Sequence, residues 1–178
     1  MARLIDFFSR QKTEDTAFAQ LVAPHVKTLY RMAYRWTRHD EDAEDLVQDV
    51  LVKVLSRMEE LRSKDKPGPW LVKVLYHRYV DVYRHRKASP VDEHNPADEE
   101  FTAEGQTEDS ERYMLQQALQ KALYELEPEQ REVVILHDVE GYTAVEAGEI
   151  MAISVGTVKS RLHRARNRLK ETLDDGTF

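Results

Sequence analysis

The chain has 178 residues, 41% of them apolar and 33% charged, with six Gly and six Pro. That is room for one ordinary domain or two small ones, and the excess of Leu, Ala, Glu, Lys, Arg and Gln over turn formers argues against a β-sandwich or barrel. There is no Cys, so disulfides, thiolate metal sites and cysteine nucleophiles are excluded together, and a net charge of −7 argues, taken whole, against a nucleic-acid partner.

Splitting the charge by position reverses that last inference. Residues 1–87 carry 17 basic and 13 acidic side chains, residues 88–111 carry no basic and nine acidic ones, and residues 112–178 carry nine and eleven. Six basic residues and no acid fall within 159–170. No stretch approaches the roughly 18 apolar residues of a membrane span, and residues 1–12 lack an apolar run of signal-peptide length. A soluble, cytoplasmic protein without membrane insertion is expected.

The first predicted helix covers 15–37, where Phe18, Leu21, Val22, Leu29, Ala33 and Trp36 recur at three- and four-residue steps. The second covers 42–60, with a cleaner stripe of Ala43, Leu46, Val47, Val50, Leu51, Val54, Leu55 and Met58. Its start, HDEDAEDLVQD, holds six acids in eleven residues. At 100° per residue, Asp45, Gln48, Asp49 and Val52 form a stripe opposite the apolar one. That stripe is a docking surface for a basic partner helix or a solvated acidic face that stabilises a helix N-terminus. A di-iron site is disfavoured, since none of the seven His has the Glu three residues earlier that a bundle site requires.

A basic loop, RSKDKPG at 62–68, leads into a third helix over 69–86. Trp70, Tyr76, His77, Arg78, Tyr79, Tyr83, Arg84, His85, Arg86 and Lys87 interleave rings with cations, a composition suited to stacking on unpaired bases while following a backbone. Trp70 is expected to pack inward with Val74, and the three Tyr are open between core and surface.

Residues 88–111 contain two Pro, one Gly and nine acids, with Val91 and Phe101 as their only large apolar side chains. Such a segment buries too little to offset its ordering entropy, so an acidic flexible linker is expected between two helical domains. Beyond it, helices are predicted over 112–124, from Glu127 or Pro128 to 137 with Gly141 as terminator, over 144–151, and over 155–173 after a turn at 152–154. In the last helix Val158, Leu162, Ala165 and Leu169 face inward, and Ser154 is placed to cap its N-terminus. A short helix, a three-residue turn and a helix with early polar and basic residues is the helix-turn-helix arrangement, whose second helix enters the major groove. Lys159, Ser160, His163 and Arg164 are the candidate base readers, and Arg161, Arg166 and Arg168 the candidate phosphate contacts. No P-loop, HExxH, GxSxG or GxGxxG is present, so no enzyme activity, catalytic residue, cofactor or metal site is predicted.

These segments, in this order and spacing, resemble the extracytoplasmic-function (ECF) sigma factors of the sigma-70 family. DAEDLVQDV (42–50) is similar to the family's core-polymerase-binding stretch, WLVKVLYHRYVDVYR (70–84) to its promoter-melting helix, and the run from Leu126 to Leu169 to its domain for the −35 element. The resemblance implies an all-α protein of two small helical domains, 1–87 and 112–178, joined by an acidic flexible linker at 88–111. It implies that Asp45, Gln48 and Asp49 face the clamp helices of the polymerase largest subunit. Arg62, Lys64, Lys66, Tyr76, His77, Tyr79 and Arg84 would engage the −10 element, and Lys159, Ser160, Arg161, His163 and Arg164 the −35 element. Core RNA polymerase, promoter DNA and an anti-sigma factor are the implied partners. His77 stands where the family usually has Asn, and Ala147, Gly148 and Ala152 replace its usual Ile, Ala and Gly. An Ala at the turn would need positive φ and a Gly within a helix costs up to about 1 kcal/mol, so the second domain is expected to be the less stable one. Two rivals remain from the residues alone: a free-standing helix-turn-helix regulator that never joins polymerase, and a helical adaptor that binds only proteins.

Overall fold

The computed structural model describes residues 14–84 and 110–174, and every regular element among them is helical. Two compact units are formed, the first holding residues 14–84 and the second most of residues 110–174. The expected linker lies outside the described residues except at its end, where α5 begins at Ser110, two residues before the anticipated boundary.

In the first unit, α1 (Glu14–Thr37), α2 (Asp40–Leu55) and α4 (Pro67–Tyr79) pack on one another, with the short α3 (Met58–Arg62) between the last two. Their common core takes Phe18, Val22, Leu29, Met32, Ala33 and Trp36 from α1, Leu46, Val47, Val50, Leu51 and Val54 from α2, and Leu71, Leu75, Tyr76 and Tyr79 from α4. Each Leu or Val fully removed from water there contributes about 1.5–3 kcal/mol. Pro24 does not end α1: it lies on the exposed side of the helix, where the Gln20 carbonyl that loses its helical N–H partner is open to water. The helix stops instead at Arg38, in the left-handed region at φ 66°, whose N–H bonds to Tyr34 O at 2.7 Å. Asp40, Glu41 and Asp42 then occupy the first turn of α2, where the positive end of the helix dipole favours them. The Tyr30 hydroxyl donates to Asp40 Oδ1, fastening α1 to that start.

The single helix predicted over 42–60 is interrupted. Ser56 donates its hydroxyl to Lys53 O at 2.8 Å, and Arg57 N–H bonds to Val54 O at 2.9 Å, so α2 closes at Leu55 and α3 starts afresh at Met58. A serine hydroxyl bonded to its own helix backbone offers that backbone an alternative to continued α pairing. Leu55, expected in the core, is left 38% exposed. The loop before α4 shrinks to 63–66, because Pro67 takes the first helical position, where its missing N–H costs nothing. Beyond Tyr79 the chain widens into a π-turn, Val80–Arg84, rather than continuing as α-helix.

The second unit contains α5 (Ser110–Glu125), α6 (Pro128–Val134) extended by a π-turn at Ile135–Val139, α7 (Ala144–Met151) and α8 (Val155–Asp174). Val133, Val134, Ile135 and Leu136 are buried, as are Val158, Leu162 and Ala165 of α8, which packs on α6 and α5. Gly141, at φ 78°, ends the α6 run, with Tyr142 N–H bonded back to Leu136 O at 3.0 Å. Thr143 and Glu146 then form a reciprocal cap on α7: Thr143 N–H donates to Glu146 Oε2 at 2.8 Å and Glu146 N–H to Thr143 Oγ1 at 3.2 Å.

Candidate nucleic-acid and partner interfaces

The turn between α7 and α8 passes through left-handed backbone. Ala152 has φ 55°, as its position required, and Ile153 N–H reaches across it to Gly148 O at 3.0 Å, the bond of a Schellman ending. This crossing makes Gly148 necessary rather than merely tolerated, since a Cβ there would lie 2.9 Å from Ile153 O. Ser154 caps α8 as expected, its Oγ accepting Thr157 N–H at 3.0 Å. The result is a helix-turn-helix whose second helix has its first turn open to solvent.

On α8, Lys159, Ser160, His163 and Arg164 are all exposed and lie together. Lys159 and Arg164 make no ion pair with a described residue, so their charge is available to a ligand. Ser160 donates its hydroxyl to Thr157 O at 3.0 Å and keeps its acceptor lone pairs outward. Asn167, which sequence spacing did not nominate, stands one turn beyond His163 with its amide nitrogen 3.2 Å from Nε2 and extends the same face.

The other three α8 arginines, expected as phosphate contacts, are engaged within the protein. Arg161 was expected to touch DNA, but its side chain is only 14% exposed and its Nη2 pairs with Glu129 Oε2 at 2.7 Å, joining α8 to α6. Arg166 makes two bonds to Asp138, which binds α8 to the π-turn after α6. Arg168 lies 3.6 Å from Glu171 on its own helix. Two of the six cations in this stretch, Arg161 and Arg166, therefore fasten α8 to neighbouring elements.

In the first unit, Asp45, Gln48, Asp49 and Val52 share the outer face of α2, with Val52 59% exposed. An unrelated signal, invisible in local spacing, is that Asp49 accepts both Nε (3.1 Å) and Nη2 (2.8 Å) of Arg78 on Oδ2.

Around the loop, Arg62 pairs with Glu59 at 3.0 Å and Lys64 lies 3.7 Å from Glu60, while Lys66 is exposed. Trp70 is half-buried rather than packed inward with Val74: Arg57 lies over its ring at 5.3 Å and its Nε1–H donates to Glu60 Oε1 at 3.0 Å. Arg57 also donates to Glu60. Desolvation raises the Glu60 carboxyl, but hydrogen bonds from Trp70 and Arg57 and the neighbouring positive charges outweigh it, and its pKa is lowered. A Cβ at Gly68, in the first turn of α4, would come within 3.1 Å of the His25 ring, which would have to shift by a few tenths of an ångström.

Tyr76 and Tyr79 were expected at the −10 element; the structure places both rings in the core. They are 4% exposed each, Tyr76 edge-on to Trp36 with centroids 5.7 Å apart and Tyr79 tilted against the same ring at 5.3 Å. A ring closed into the core cannot stack on a base. His77 is half-buried beside Tyr76, with ring centroids 5.9 Å apart. The Tyr83 and Arg84 side chains lie outside the described residues. Among the described residues no His, Asp or Glu cluster is arranged to hold a metal, and no helix is long and apolar enough to cross a membrane.

An all-helical fold with a capped helix-turn-helix and free cations on its second helix defines a helical DNA-binding protein. Residues 21–89 match the family model for sigma-70 region 2 and residues 116–169 that for sigma-70 region 4. The chain is 32% identical to ECF RNA polymerase sigma factor SigM of Mycobacterium tuberculosis over 88% of its own length and 77% of that protein. It is 34% identical to ECF RNA polymerase sigma factor SigE of Mycolicibacterium smegmatis over 86% of its length, spanning 60% of that longer relative. Among solved structures, sigma factor RpoE of Bartonella quintana, in complex with the anti-sigma factor NepR, superposes with a TM-score of 0.71 at 27% identity over 89% of this chain and 97% of that one. The chain belongs to the ECF sigma factors of the sigma-70 family, non-enzymatic factors that direct promoter recognition.

Proposed function

We propose that the chain joins core RNA polymerase through the outer face of α2, with Asp45, Gln48 and Asp49 meeting the clamp helices of the largest subunit. Residues 1–87 then form the polymerase-docking and −10 unit, and residues 112–178 the −35 unit, joined by 88–111. The loop cations Arg62, Lys64 and Lys66, with His77 and Arg84 behind them, hold the −10 strand. Lys159, Ser160, His163 and Arg164 read the −35 major groove, where Arg and Lys favour guanine. Extruding a base costs a few kcal/mol, which contacts to the extruded base offset while polymerase supplies the chemistry. The observation that carries this reading is the α2 face, where two carboxylates, an amide and an exposed Val52 serve no purpose in the core. A free-standing regulator has no use for such a face. The likeness to RpoE, solved with NepR, supports an anti-sigma factor as a further partner, and a role on core polymerase implies a cytoplasmic protein.

The test is co-elution of the purified chain with sigma-free core polymerase, with permanganate footprinting of thymines on a promoter pool. Co-elution, opened thymines and loss of both on replacing Asp45 and Asp49 together by Ala support the reading. Duplex binding without co-elution overturns it in favour of a free-standing regulator.

A further inference from the structure

We infer that Arg78 is a positioning residue for polymerase docking: it holds the Asp49 carboxylate by one oxygen and leaves the other turned outward for a cation on the partner. Resting on the docking role proposed for α2, this inference adds a residue from a different helix to that surface.

Both guanidinium bonds, from Nε at 3.1 Å and Nη2 at 2.8 Å, fall on Asp49 Oδ2. An ionised carboxylate has about four acceptor positions over its two oxygens, so Oδ1 keeps its full capacity. A true fork, with one nitrogen on each oxygen, would have used both. The two side chains are 36% and 46% exposed, so the pair lies at the surface beside Asp45 and Val52 rather than in the core. A short acidic side chain on an isolated helix samples several rotamers, and docking must then select one at an entropic cost. Here α4, packed against α2, delivers a guanidinium that makes the selection beforehand. Arg78 is also next to His77, so the docking carboxylate is tethered to the helix proposed to meet the −10 strand.

A guanidinium beside Asp49 also offsets its charge, and if that offset dominated, removing Arg78 would strengthen binding to a basic partner. Dissociation constants of the full-length chain for sigma-free core polymerase decide between the two, measured for wild type, Arg78→Ala, Arg78→Lys, Asp49→Ala and the double Ala variant. Positioning predicts that Arg78→Ala weakens binding about threefold to tenfold. Arg78→Lys, which still donates to Oδ2, recovers most of it, and the double variant is no weaker than Asp49→Ala. The Arg78→Ala deficit persists from about 0.05 to 0.3 M salt, because it reflects geometry more than screened charge. Unchanged or tighter binding by Arg78→Ala, or losses that multiply in the double variant, overturns the inference while leaving α2 as the docking face. No effect of Asp49→Ala removes the docking role and the inference together. Urea midpoints of the same proteins separate a folding defect, which Arg78→Lys and Arg78→Ala would share with the double variant whatever stands at position 49.

Discussion

Arg166 grips Asp138 with two bonds, Nε to Oδ2 at 3.0 Å and Nη2 to Oδ1 at 2.5 Å, and so binds the DNA-facing helix to the turn that closes α6. The Asp138 carboxyl is held below the usual carboxylate range, chiefly by Arg166 and further by His137, against the upward push of desolvation. Replacing Asp138 by Asn is expected to lower stability by about 1 kcal/mol or less, because the pair is partly exposed. A depressed folded-state pKa means the contribution is complete above the unfolded Asp value near 3.9 and fades as pH falls through the lower folded value. Urea unfolding should thus show a constant gap between wild type and Asp138→Asn at neutral pH and a closing gap below about pH 4.

The turn between α7 and α8 carries two linked predictions. Ala152 at φ 55° is strained where Gly would not be, so Ala152→Gly is expected to raise stability by about 0.5–1 kcal/mol, the relief being reduced by a more flexible unfolded chain. Gly148→Ala places a Cβ 2.9 Å from Ile153 O and is expected to cost about 1–3 kcal/mol. Chemical denaturation of each variant measures both. The same strain underlies the expectation that the second unit unfolds first, which differential scanning calorimetry resolves as an earlier transition that Ala152→Gly moves upward by about 2–8 °C.

Tyr76 separates a core role from a promoter role. Its burial against Trp36 implies that Tyr76→Ala costs about 3–5 kcal/mol of stability, while Tyr76→Phe leaves promoter opening unchanged. Loss of opening in a Tyr76→Phe protein of wild-type urea midpoint would return this ring to the DNA surface.

For the cations of α8, the salt dependence of duplex binding discriminates contact from scaffold. Lys159→Ala and Arg164→Ala, where made to phosphate, should each reduce the slope of log affinity against log salt by about 0.9; where made to a base edge, they should relax sequence preference instead. Arg161→Ala should leave the slope unchanged and lower the unfolding midpoint, since its partner is Glu129. Fluorescence anisotropy over a salt series reads both behaviours.

Much of the fold was legible in the sequence because its signals are local. The helix at 144–151, the turn at 152–154, the Ser154 cap and the positive φ of Ala152 all follow from residues within one or two turns of each other. The apolar stripes of α1 and α2 were also visible, as periodicity alone dictates which face is buried. The break at Ser56 was not, because a single serine in a continuing stripe carries little signal against eight well-spaced apolar residues. Neither π-turn was anticipated, since inserting one residue alters the helix without altering its composition.

By itself, then, the sequence determined the helical class, the split of charge, the two units and the motifs shared with the ECF sigma factors, all carried by neighbours in the chain. Tertiary structure alone decided which of the eligible side chains are free. Asp49 meets Arg78 across 29 residues, Arg161 meets Glu129 across 32 and Arg166 meets Asp138 across 28. Trp36 and Tyr79 come together across 43. Over such separations helical periodicity carries no register, so whether a cation is a ligand contact or a strut, and whether a ring is platform or core, is set by helix packing.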